Sequence, residues 1–245
     1  TPLYSSAASD VYKRQGQRLF GSKELGEIEI ERKSSKAITI KGKFWAGSLT
    51  HDNDVLMWGS ITNPYFSDFK KSKTHIHLTN GTFKMMEPLE SGFNVENGAT
   101  ISTNTGDIIC GNVNGIRDRV PDPDRRVGMS IEREHFSEIL APNGKIIAGD
   151  VHETVYLDGD EITVLNLVDN VKLKGRKIQI FGSKVSYDVF IELNRGGVLR
   201  FFDRGSGFDI SDDAILKLES GKEFFLDELK NKKLIGFGGQ DMTYD

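Results

Sequence analysis

The chain of 245 residues contains one cysteine, Cys110, so no internal disulfide can staple it. Six prolines among 245 residues exclude a proline-rich or collagen-like chain. No apolar run approaches the length of about 18 residues that a membrane-spanning helix needs. Neither sign of charge dominates. Residues 1–120 carry 15 Lys+Arg against 13 Asp+Glu, and residues 121–245 carry 17 against 23, giving a net charge of −4. A protein that binds nucleic acid through its phosphates needs a concentrated basic surface. The densest basic run before the C-terminus is only Lys70, Lys71 and Lys73, which reads as a solvated loop. Nucleic acid and a membrane span are therefore both excluded as expectations. Signatures of catalysis are missing too. There is no phosphate-binding G-x-x-x-x-G-K-[ST], no dinucleotide-type G-x-G-x-x-G after a strand, and no G-x-S-x-G elbow.

Glycine is abundant, at 26 residues. Without matching Pro or Ser tracts, this excess signals many turns between strands. Short stretches of alternating apolar and polar residues fill the chain: Ile28/Ile30, Ile38/Ile40, Ile76/Leu78, Val155/Leu157, Val171/Leu173, Ile178/Ile180, Val189/Ile191/Leu193 and Leu216/Leu218. Period two is the pattern of half-buried strands. Asn97-Gly98 and Asp158-Gly159 are turn dipeptides, and Asp158-Gly159 predicts a hairpin. Two segments read as helix. Ile131–Leu140 gathers Ile131, Phe136, Ile139 and Leu140 near one face and stops at Pro142; Phe224–Lys233 gathers Phe225, Leu226 and Leu229. The fold class expected is mainly β, as either a β-solenoid (parallel β-helix) or antiparallel β sandwich domains, with short helices near 131–140 and 224–233. Strand starts recur every 7 to 10 residues between about 153 and 200, which both topologies allow.

The opening TPLYSSAASDVYKRQ has no hydrophobic period and no capping pattern. It resembles the translated sequencing-adapter ends found on proteins predicted from environmental DNA, so residues 1–15 are set aside as a non-native leader with the true N-terminus absent. The proline- and charge-rich stretch Arg117–Arg126 (RDRVPDPDRR) marks a connection between a first β region, 16–120, and a second, 121–245.

Residues 75–115, HIHLTNGTFKMMEPLESGFNVENGATISTNTGDIICGNVNG, combine a strand, a Gly-Thr-Phe entry, a Glu-Pro-Leu corner and short strands closed by Asn or Gly. This segment resembles pectin-lyase-like right-handed β-helix proteins and viral tail-spike-type β proteins. The resemblance implies a solenoid, although no strict 20–25-residue repeat accompanies it.

Candidate chemistry is sparse. His75 and His77 sit at i and i+2, so both imidazoles share one strand face, but no third ligand lies at a suitable spacing; no metal and no cofactor are expected. The acid pairs Asp52/Asp54, Asp122/Asp124, Asp158/Asp160 and Asp212/Asp213 read as turn-capping residues. Glycoside cleavage would require two of these carboxylates at a defined separation. Cys110 follows two isoleucines and reads as a buried thiol. Trp45, Trp58, Tyr65 and Phe66 are the candidate binding residues, aromatic platforms for a sugar ring or a partner surface. The crowding of Leu56, Met57, Trp58, Ile61, Tyr65, Phe66 and Phe69 predicts a homo-oligomer or docking into a larger assembly. Lys172, Lys174, Arg176 and Lys177 read as charge protection of a sheet edge.

The functional expectation is a structural or adhesive β-rich protein of a virion (tail fibre, spike or baseplate) or a bacterial surface. Such a protein acts by shape and multivalent contact, in a virion or extracellular setting, and needs no reactive constellation; whether the chain is an enzyme stays open, with the lean against it. The alternative is a carbohydrate-active enzyme or carbohydrate-binding module on the same scaffold, with carbohydrate as its partner.

Overall fold

The computed structural model describes residues 18–19, 29–32, 37–44, 47–63, 74–86, 94–115, 136–202, 209–231 and 242–243. Mainly β structure is present, and most strand pairs are parallel. Each turn of the chain adds one strand to each of three stacks and then begins again one rung higher. This is the topology of a β-solenoid. It excludes a hairpin-built sandwich, because a parallel neighbour cannot be reached through a tight turn.

The reason lies in three columns of inward-facing apolar residues. In the first stack, Ile38, Val55, Phe83, Ile108, Ile146, Ile162, Ile178 and Leu199 lie directly over one another. The second stack aligns Leu49, Ile76, Ile101, Ile139, Leu157, Leu173, Ile191 and Leu216. The third aligns Ile61, Val95, Val113, Val151, Leu167, Val185 and Ile210. All but Ile210 are buried, and they belong to one continuous core cluster reaching from Ile38 to Leu229. Pairing crosses the stretch between the two β regions expected from sequence: Ile101 meets Ile139, and Val113 meets Val151. Arg117–Arg126 itself lies outside the described residues, as does the 1–15 leader.

Coil length varies. Register partners in the second stack are 18 residues apart at Ser137/Val155, 16 at Val155/Val171 and 18 at Lys172/Phe190. They are 25 apart at His75/Thr100, 38 at Thr100/Glu138 and 25 at Phe190/Ile215.

The corners are built from side chains that replace missing backbone partners. Between the first and third stacks, Asn112 Oδ1 accepts from Asp150 N (3.0 Å), Asp150 Oδ1 from Asn166 Nδ2 (2.8 Å), and Asn166 Oδ1 from Ser183 N (2.9 Å). Between the second and first, Asp54 Oδ1 accepts from Thr82 N and Asp107 Oδ1 from Lys145 N, both at 2.8 Å. Here the backbones of successive coils also touch. A Cβ on Gly106 would land on the Gly81 carbonyl, and one on Gly144 on the Gly106 carbonyl. The corner from the third stack to the second uses left-handed backbone at Asn97 (φ 59°), Glu153 (48°), Thr154 (56°), Asp169 (55°), Asn170 (50°) and Asp188 (53°).

At both ends antiparallel strands add to the first and second stacks. Glu29–Arg32 pairs with Ile38–Phe44, and Arg18–Leu19 with Gly47–His51. At the other end Glu223–Phe225 covers Ile215–Leu218, and Met242–Thr243 pairs with Val198 and Leu199. The short helix Leu226–Asn231 follows, and its buried Leu226 and Leu229 complete the core.

Three sequence expectations are corrected. The helix expected over 131–140 is not there: residues 137–140 belong to the strand Ser137–Ile147, and 131–135 lie outside the described residues. Ser137, Ile139 and Ala141 point inward between strands 100–103 and 155–159, and partners on both sides override the helical spacing. Pro142 is tolerated because the register shifts between Ala141 and Lys145. Asp158-Gly159 is no hairpin; the strand Val155–Val164 runs through it, pairing in parallel on both sides. Lys172, Lys174, Arg176 and Lys177 do not guard an edge, because the strand Val171–Ile180 is covered by neighbours on both sides. Arg176 instead forms a two-pronged bond to Asp160 (2.8 Å each), and Lys177 lies 3.6 Å from Glu161. Of the helix expected near 224–233, Leu226–Asn231 is helical; Phe224 and Phe225 belong to the strand Glu223–Phe225, and 232–233 lie outside the described residues.

Candidate functional site on the outer face of the second stack

Strands of the second stack alternate inward apolar residues with outward ones. The outward residues fall into two adjacent columns. One reads Ser48, His75, Thr100, Glu138, Tyr156, Lys172, Phe190, Ile215, Phe225. The other reads Thr50, His77, Ser102, Leu140, Asp158, Lys174, Glu192, Lys217, Glu223. At about 4.8 Å per rung, the strip is about 38 Å long.

Its N-terminal half carries imidazoles and hydroxyls. Ile76 and Leu78 are inside, so His75 and His77 share the outer face, half-buried, with ring centroids 5.8 Å apart. Both rings reach the same group on the next rung: His75 Nε2 and His77 Nδ1 each lie 2.8 Å from Ser102 Oγ. One hydroxyl has one proton, so Ser102 donates to at most one ring and accepts N–H from the other. Thr100 Oγ1 donates to Glu138 Oε2 at 3.5 Å on the neighbouring column.

A serine between two imidazoles suggests a nucleophile with its base. Among the described residues the face supplies no site for a developing oxyanion. The strands on either side of Thr100–Thr103 are hydrogen-bonded to it, which engages the local N–H groups in the ladder. Among the described residues no group of three or more His, Cys, Asp or Glu side chains is placed to hold a metal ion.

The C-terminal half of the strip is aromatic and charged. Tyr156 Oη donates to Asp158 Oδ2 (3.0 Å). Lys172 Nζ lies 5.0 Å from the Phe136 ring centre, and Lys217 Nζ lies 5.9 Å from that of Phe190. Lys217 also pairs with Glu223 at 3.8 Å. Phe225 at the end of the column is 48% exposed, and Tyr187, on the corner that leads into Phe190, is 64% exposed.

Of the binding residues expected from sequence, Trp58 lies half-buried on the strand Val55–Thr62 of the first stack, in register with Lys41. Trp45, Tyr65 and Phe66 lie outside the described residues, as do Phe69 and Lys70, Lys71 and Lys73. Met57 and Ile61, part of the same apolar crowd, are fully buried in the core. The acid pairs are turn and rung partners where described: Asp54 caps Thr82 N, Asp160 holds Arg176, and Asp213 accepts from Asp188 N (3.1 Å) and Ser211 Oγ (2.6 Å). The Arg176 guanidinium lowers the Asp160 carboxyl below its ordinary range. Cys110 is buried, and desolvation pushes its thiol up to about 12. Sequence reasoning overlooked Ser102, Glu138, Phe190, Ile215 and Phe225. Ser102, Glu138, Phe190 and Ile215 gain their neighbours through coil registers of unequal length, and Phe225, read from sequence as a helix position, joins them by antiparallel pairing with Ile215.

Comparison with models of known protein families, with curated proteins and with solved structures returned no match to this chain. Among the described residues, no helix is long and apolar enough to cross a membrane.

Proposed function

We propose that this chain is a structural or adhesive β-solenoid of a virion or cell surface, acting by rigid shape and multivalent contact. The observation that carries this reading is where the polar chemistry goes. Asn112, Asp150, Asn166, Asp54 and Asp107 all stack one coil on the next. Eight rungs in the first and second stacks, with inward apolar residues that are buried at every rung, then make a stiff prism about 34 Å along its axis. Antiparallel strands add to the end rungs of the first and second stacks. In this reading contact with a partner is lateral, through the outer faces.

A carbohydrate-cleaving reading has less support, because the described acid pairs are engaged in turns and rungs. The test combines two measurements on the full chain: light scattering at high concentration, alone and with whole bacterial cells, and reducing-end release from a polysaccharide panel. Self-assembly or cell binding without release of reducing ends is the expected result. Release that disappears in Glu138→Gln would overturn the proposal in favour of the enzyme.

A further inference from the structure

We infer that the C-terminal half of the outer strip, from Tyr156/Asp158 to Phe225/Glu223, is a binding site for a neutral polysaccharide strand. The inference rests on the reading of this chain as a display scaffold and names what one of its faces contacts.

The first ground is the pairing of chemistries. A pyranose ring presents flat C–H faces and a rim of hydroxyls. It needs an apolar surface beside donors and acceptors. The last three rungs supply these side by side: Phe190 with Glu192, Ile215 with Lys217, and Phe225 with Glu223. Phe190 and Phe225 offer ring surface, the carboxylates accept from sugar hydroxyls, and Lys217 donates to them. The polar and apolar columns run parallel to the solenoid axis, so a linear polymer lying along that axis meets the same pair of chemistries on each of these rungs.

The second ground is charge. The outward residues of these five rungs include Lys172, Lys174 and Lys217 against Asp158, Glu192 and Glu223. The balance is zero. A polyanion such as nucleic acid or an acidic glycan would need an excess of cations. An anionic membrane surface would need the same.

The third ground is size and composition. A stable protein interface takes roughly 20–30 residues a side, with Lys and Glu depleted from its centre. Here a single file of three apolar side chains is flanked by alternating Lys and Glu, which suits a narrow strand better than a second copy of the chain. The platform is also rigid. The strands Phe190–Phe201 and Ile215–Leu218 are anchored by the buried Ile191, Leu193 and Leu216, so little ordering is needed on binding.

The experiment is native gel electrophoresis of the full chain through gels containing hydroxyethylcellulose, xylan or galactomannan, with polygalacturonate as the acidic comparison. Retardation by at least one neutral polymer is expected. It should weaken roughly tenfold or more in Phe225→Ser, the usual scale for losing a contact anchor. It should persist in Ile147→Ser, an exposed apolar change on the first stack. Sedimentation of Phe225→Ser serves as the fold control. No retardation by any neutral polymer, retardation by polygalacturonate alone, or retardation unchanged in Phe225→Ser would each overturn the inference. So would a dimer that Phe225→Ser dissociates. None of these results touches the scaffold reading, which stands or falls on assembly, cell binding and the absence of cleavage.

Discussion

Replacing glycines one at a time along a single corner separates stacked coils from any hairpin arrangement. Gly159 and Gly175 occupy the bend between the second and first stacks in consecutive coils. Neither is among the glycines with positive φ, so alanine meets no backbone strain at either. Space is what differs. A Cβ on Gly159 would meet Ile146 Cδ1 at 3.0 Å and Cγ1 at 3.1 Å, the end of a side chain that can give by a few tenths of an ångström. A Cβ on Gly175 would lie 2.5 Å from the Gly159 carbonyl oxygen, about 0.9 Å short of the ordinary contact that begins at 3.4 Å. That oxygen is backbone of the neighbouring coil, and the whole rung must shift to make room. For Gly159→Ala, slight overpacking is offset by the roughly 0.4–1 kcal/mol gained from a less flexible unfolded chain. The net change should stay within about 1 kcal/mol. For Gly175→Ala the overpacking cost is about 2–3 kcal/mol. Urea titrations followed by circular dichroism would measure both. A costly Gly159→Ala beside a harmless Gly175→Ala would refute the stacking, since a hairpin at Asp158-Gly159 requires positive φ at the glycine.

Three further outcomes follow from the same structure. Ile162→Ala, in the middle of the first inward column between Ile146 and Ile178, should destabilise by about 3–4 kcal/mol through lost burial and the residual cavity, read as a lower urea midpoint. Glu153→Asn should raise the melting temperature, with a gain of about 0.5–1 kcal/mol, because Glu153 is exposed at φ 48° and asparagine tolerates that region better. Cys110 has its thiol raised from 9.0 to about 12, so its protonated form is favoured in the folded state. The stability this gives is full below pH 9 and lost as pH climbs toward 12; denaturation between pH 9 and 12 should therefore be less steep in Cys110→Ala.

Alternation made most strands legible in the sequence, because inward positions are aliphatic at nearly every rung. Val171/Leu173 and Ile178/Ile180 are strand positions on sequence and in the structure alike. Asn97-Gly98 was legible as a turn, with φ of 59° and 76°, but it turns the chain from the third stack to the second instead of folding a hairpin. The Asp158-Gly159 error has the same root: a dipeptide reports local flexibility, while the direction of the next strand is decided by which edge is free to pair. Within the expected helix Ile131–Leu140, the described positions 137–140 are strand: Ile139 is inward and Leu140, counted as core, faces outward. The site was the least legible part. His75 and His77 announce themselves as a pair, yet Ser102, which joins them, is 25 and 27 residues away. Coil lengths that range from 16 to 38 residues erase any fixed period that would have aligned them.

The central claim, that coils stack in parallel and in this register, is most directly tested by disulfide trapping in a Cys110→Ala background. Thr163 and Gln179 are outward register partners on adjacent rungs, 16 residues apart. Their Cα separation of about 4.8 Å lies within the disulfide range of about 4.4–6.8 Å. Tyr156 and Glu161 lie on either side of the Gly159 bend, in the second and first stacks, but would be opposed in a hairpin turning at Asp158-Gly159. The account predicts that Thr163→Cys/Gln179→Cys oxidises to an intramolecular cross-link while Tyr156→Cys/Glu161→Cys stays reduced under the same conditions. Cross-linking of the second pair without the first would contradict it.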